Sequence, residues 1–94
     1  MDLQDYRQKI DKIDEEMTRL FAERMALSAQ IAAYKKEHGL PVQDAARERE
    51  KLSEIEAKLP DELREYGASL YRHIFELSRE RQEHVFLETD GKGD

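Results

Sequence analysis

The chain has 94 residues, with 16 Lys and Arg against 22 Asp and Glu, a formal net charge of -6 and 40% charged positions. That is the size of one small domain, and the acidic balance argues against a general nucleic-acid binder. No stretch approaches the about 18 consecutive apolar residues of a membrane span, and the opening MDLQDYRQK lacks the basic-then-apolar layout of a secretory signal, so a cytoplasmic protein is expected. The lack of cysteine removes disulfides, thiolate ligands and a cysteine nucleophile.

Leu3, Tyr6, Ile10, Ile13, Met17, Leu20, Leu27, Ile31 and Tyr34 recur at steps of three and four. They predict one long amphipathic helix from Leu3 to His38, its seam broken at Arg24. Gly39 suits the position just past a helix end and Pro41 cannot continue the helix, so a tight connection is expected over His38 to Val42. Asp44 is a candidate N-cap for a second helix marked by Ala45, Leu52, Ile55 and Leu59. Leu59-Pro60-Asp61 closes that helix and opens a third, reaching about Leu87, with Leu63, Leu70, Tyr71, Ile74, Phe75, Leu77, Val85 and Phe86 as its apolar positions. Gly67 within it costs about 1 kcal/mol against alanine. The predicted domain is 1–88, and residues 89–94 (TDGKGD) are expected to be a disordered tail or linker.

Length constrains the assembly. A helix from Leu3 to His38 is about 54 Å long, whereas a compact chain of this size has a radius of gyration of about 12 Å. The helix must overhang any globule its own chain can form. Because its seam stays apolar from end to end, and 38% hydrophobic residues is thin for so short a chain, a second copy is the simplest cover. The expected fold is all-α, three helices per chain, in an intertwined homodimer.

The informative positions are polar residues on the seams. Arg24 lies between Leu20 and Leu27, and Lys35 follows eleven residues later, almost a whole number of turns. Glu48 falls between Ala45 and Leu52. In the row Tyr71, Phe75, Ser78, Gln82, Val85, the residues Ser78 and Gln82 face inward at i and i+4. Buried polar groups are expensive unless paired, so the pattern implies an internal network or a ligand pocket; both stay open on spacing alone. Two cations, a carboxylate, a hydroxyl and an amide suit a small polyanion better than a metal. Arg7 is seventeen residues from Arg24, about 25 Å along one helix, and an antiparallel partner would bring it over the other chain's pocket. His38, His73 and His84 have no Glu-x-x-His or His-x-x-x-His spacing, so no metal site is expected, and there is no Gly-rich phosphate loop or G-x-S-x-G elbow. In the run Arg47 to Lys51, residues Arg49, Glu50 and Lys51 are expected to be a solvated face.

The order YRQKIDKIDEEMTRLFAERM, AAYKK, LPVQDAARERE and IFELSRERQ, from about Tyr6 to Gln82, resembles the all-α (AroQ-class) chorismate mutases, including mutase domains fused to other shikimate-pathway enzymes. The resemblance implies an intertwined homodimer with sites shared between chains and the rearrangement of chorismate to prephenate in phenylalanine and tyrosine biosynthesis, without cofactor or metal. It implies that Arg7 reaches into the partner's site and that Arg24 and Arg47 bind the substrate carboxylates. Lys35 would contact the ether oxygen and a neighbouring carboxylate, and Gln82 would donate to the ether oxygen. Glu48 would receive the ring hydroxyl, Asp44 would act through the backbone at the start of the second helix, and Ser78 would assist at a carboxylate. Two rivals remain: an isochorismate-pyruvate lyase of the same fold, and a non-catalytic dimeric helical interaction module. A fused or associated enzyme of the same pathway is a possible partner.

Overall fold

The computed structural model describes residues 1–91, which form three α-helices and no strand. Helix α1 spans Leu3–Glu37. Its start is a reciprocal cap: Asp2 Oδ1 accepts the Asp5 N–H and Asp5 Oδ2 accepts the Asp2 N–H, both at 3.0 Å. Two amides that lack helical partners are thereby satisfied, with carboxylates at the positive end of the helix dipole. At the other end Gly39 takes φ +67°, the left-handed conformation that costs a glycine little. That turn lets the Leu40 N–H reach back to the Lys35 carbonyl at 2.8 Å and the Gly39 N–H to the Lys36 carbonyl at 3.3 Å, a Schellman-type closure. The connection over 38–42 thus forms where the Gly and Pro place it.

Helix α2 spans Ala45–Lys58, and Asp44 caps it by accepting the Arg47 N–H at 3.0 Å. Leu59 is extended, as a residue before proline prefers. The third helix does not begin directly at Pro60 or Asp61 as expected. A single 3₁₀ turn, Asp61–Leu63, intervenes, with the Leu63 N–H on the Pro60 carbonyl at 2.9 Å, and it runs straight into α3, Arg64–Gly91. Arg64 ties the corner: its Nε donates to the Glu56 and Leu59 carbonyls at 3.0 and 3.2 Å, and Nη1 pairs with Asp61 at 2.9 Å. Orphan carbonyls at the end of α2 are satisfied in this way. Helix α3 continues past the expected end near Leu87, and residues 92–94 of the expected tail lie outside the described residues.

Both α1 and α2 pack on α3. The buried apolar residues are few among those described, namely Ala32, Ala68 and Phe75, the alanines being small enough to let helix backbones approach. At Gly67 a Cβ would overlap Leu59 Cδ1, so the Leu59 side chain packs over the glycine itself. The α1 seam from Leu3 to Tyr34 stays 47–61% exposed at the nine apolar positions that define it, and residues 1–23 are exposed throughout. With extents of 60 × 26 × 14 Å and a radius of gyration of 17.0 Å, against about 12 Å for a compact chain of this length, the overhang read from length is present. Among the described residues no helix is long and apolar enough to cross a membrane.

Candidate active site

The last turns of α1, the α1–α2 connection, the start of α2 and the middle of α3 enclose an open cleft of about 440 Å³. Leu27, Ile31, Val42 and Phe75 give it apolar walls; Arg24, Lys35, Arg47, Lys51 and Arg79 face Asp44 and Glu48 as its charged lining. The polar breaks in the three seams therefore converge on one place. Ser78 and Gln82 are each only 7% exposed, and both are satisfied.

Two hydrogen-bonded sets span the helices. Arg24 Nη1 donates to Ser78 Oγ at 2.8 Å, Ser78 Oγ lies 2.8 Å from Ser28 Oγ, and the Arg24 guanidinium stands 5.9 Å from the centre of the Phe75 ring. Higher in the cleft Lys35 Nζ donates to the Val42 carbonyl at 2.6 Å and to Gln82 Oε1 at 3.1 Å. An ammonium can only donate, so Lys35 fixes which end of the Gln82 amide it meets and leaves the NH₂ end as the donor. These bonds of Arg24 and Lys35 go to neutral acceptors, so both keep a full positive charge to offer an anion. The other cations are partly compensated: Arg47 by Glu50 at 3.4 Å, Lys51 by Glu54 at 3.3 Å and Arg79 by Glu48 at 2.6 Å. Neutral fixed donors, two uncompensated cations and apolar walls form a receptor for a small anion with an apolar body. Among the described residues no group of His, Asp and Glu could hold a metal ion.

Comparison with known proteins gives this receptor a lineage. A model of the family described as chorismate mutase type II matches residues 6–83, most of the chain. The chain belongs to the chorismate mutase type II family. It is similar to a chorismate mutase of Methanocaldococcus jannaschii, 29% identical over 92 residues, covering 96% of this chain and 93% of that protein. It is also similar to the T-protein of Haemophilus influenzae, 44% identical over 46 residues, covering 49% of this chain but only 12% of the T-protein. No solved structure matches significantly.

Of the candidate residues of this chorismate mutase family member, Arg24, Lys35, Asp44, Arg47, Glu48, Ser78 and Gln82 line the cleft. Arg7 does not; it is exposed on the second turn of α1, on the overhanging half. Lys51, expected on the solvated face, is half-buried at the cleft instead, because it sits one turn from Glu48 and Arg47 on the inward side of α2. The sequence reading missed Ser28 and Arg79. Ser28 is four residues from Arg24, so the helical period carried the signal. Arg79 sits one residue off the α3 seam and reaches the cleft by its length, which periodicity does not register.

Proposed function

We infer that the protein is a chorismate mutase acting in the cytoplasm, converting chorismate to prephenate at two equivalent sites of a homodimer, each completed by Arg7 of the other copy. The observation that carries this reading is the pairing of Lys35 with Gln82 in the same cleft as the Arg24–Ser78 pair, a set of polar groups fixed by one another across α1 and α3. The reaction is a closed shift of electron pairs: the ether C–O bond breaks while a C–C bond forms between the enolpyruvyl methylene and the ring. It needs no proton, metal or covalent intermediate, and so suits a cleft whose fixed cations, hydrogen-bonding groups and shape can hold and fold a small dianion.

Under this reading Arg24, with Ser78 behind it, takes one carboxylate, and Arg47 with the partner's Arg7 takes the other. Holding both ends folds the enolpyruvyl arm over the ring, which supplies the orientation part of catalysis. Lys35 and the Gln82 NH₂ group are aimed at the ether oxygen, which gains negative charge as its bond lengthens; donors already in place stabilise that charge without reorganisation. Glu48 accepts the ring hydroxyl, and Asp44 fixes the start of α2 by its cap. The net charge of -6 repels a dianion at long range, so capture falls to the local cations in a partly dehydrated cleft. The exposed apolar seam of α1 supports the dimer, and the far greater length of the T-protein supports a reading in which such a domain works beside a further enzyme of the same pathway.

The test is the ultraviolet loss of chorismate with the product identified. Wild-type protein should yield prephenate, and Arg24→Ala should lose most of that activity. Release of pyruvate from isochorismate without conversion of chorismate would establish the lyase instead, and inertness of a folded dimer toward both would leave a binding module.

A further inference from the structure

Glu48 is on α2 and Arg79 on α3, thirty-one positions apart, yet Arg79 Nη1 donates to Glu48 Oε1 at 2.6 Å with the side chains only 28% and 25% exposed. Ion pairs along the helix surfaces, such as Arg19–Glu16 and Lys51–Glu54, join residues one turn apart and are more open to water. A cross-helix pair at that distance is a short, charge-assisted bond that fixes direction as well as proximity. It is placed where fixing is needed. Helix α2 contains no buried residue, so packing does little to hold a long glutamate side chain in one rotamer. Both partners line the cleft, and Arg79 directly follows Ser78, whose hydroxyl is anchored to Arg24.

We propose that Arg79 is a positioning residue acting through Glu48: it engages one carboxylate oxygen so that the other is presented to the substrate's ring hydroxyl, and it thereby sets the preference for substrates that carry this hydroxyl. This rests on the mutase reading and on the role of Glu48 within it. A carboxylate has two oxygens and accepts only; with Oε1 committed to the guanidinium, Oε2 is the acceptor for the substrate. Removal of Arg79 leaves Glu48 free to turn toward solvent, and the contact with the hydroxyl is lost while the donors at the ether oxygen stay in place.

The experiment measures kcat/KM for chorismate and for an analogue bearing hydrogen in place of the ring hydroxyl, which retains the reacting allyl vinyl ether. The ratio of the two is the readout, because changes in folding, dimerisation or overall charge affect both substrates and cancel. Wild-type protein should prefer chorismate; Arg79→Met should reduce that preference about tenfold, as expected for a lost hydrogen bond to a charged group, and to the level of Glu48→Ala. Arg79→Lys, which keeps the charge but not the fork, should fall between, and it reports on the proposal if the methionine variant does not fold. An unchanged ratio in a folded Arg79 variant that slows both substrates equally would overturn the proposal. Wild-type indifference to the hydroxyl would overturn the role of Glu48, and failure of wild-type protein on both substrates would overturn the mutase reading itself.

Discussion

Lys35 and Gln82 act as one unit. The lysine orients the amide, and the amide then contributes a neutral donor beside a cationic one. Under the proposed mechanism, Lys35→Ala and Gln82→Ala should each lower kcat by about 10²- to 10³-fold, the usual loss for one preorganised donor at a developing oxyanion, with steady-state kinetics as the measurement. The amide does not titrate, so wild-type turnover should be flat near neutrality. Gln82→Glu should not be. A carboxylate accepts only, and a carboxylic acid donates, so with an ordinary glutamate pKa of about 4.3 the variant should be more active at pH 5 than at pH 8. Equal rates at both would refute the donor role. At this scale the sequence was legible where a polar residue interrupted an apolar period, as for Arg24, Glu48, Ser78 and Gln82. Arg79 was not, because its guanidinium reaches the cleft from off the seam, and the carbonyl of Val42 was not, because a backbone acceptor has no sequence signature.

The helices differ in how firmly they are held. Helix α2, without a buried residue, depends on its end conditions: Asp44 at its start and the Arg64 bridge with Leu59 at its end. Asp44→Ala should therefore cost about 1 kcal/mol, the worth of an N-cap, seen as a lower urea midpoint at fixed protein concentration. Gly67 sets helix propensity against packing. Glycine to alanine inside a helix ordinarily gains about 1 kcal/mol; here the new Cβ would meet Leu59 Cδ1, the tip of a side chain that must turn aside and offsets part of that gain. Gly67→Ala should gain less than the full amount of about 1 kcal/mol in the same urea titration. The sequence marked all three helices and both connections because glycine, proline and aspartate punctuate them by backbone chemistry. It did not mark the 3₁₀ turn at Asp61–Leu63, because the i to i+3 bond of Leu63 on the Pro60 carbonyl differs from an α-helical first turn by less than a residue pattern registers.

At the scale of the molecule, the long open seam of α1 and the small buried core are two sides of one fact: most apolar surface of the chain faces away from its own globule. Nine apolar positions exposed along one helix are far more than a monomeric protein leaves to water, and an antiparallel second α1 would cover them while bringing Arg7 to the other copy's cleft. Sedimentation at micromolar concentration should accordingly give the mass of two chains; the mass of one would remove the shared site. The overhang was readable from helix length against domain size, whereas which surface pairs with which depends on a second copy that no periodicity describes.

A mutase whose sites are each built from two chains should recover activity when two inactive variants are mixed. Arg7→Ala and Arg24→Ala should each be nearly inert alone. Unfolded together and refolded, they should form heterodimers in which one site carries both substitutions and the other carries neither, so that about a quarter of wild-type chorismate conversion returns under statistical pairing. If the refolded mixture is no more active than the separate variants, the two arginines do not meet across the dimer and the sites are not shared.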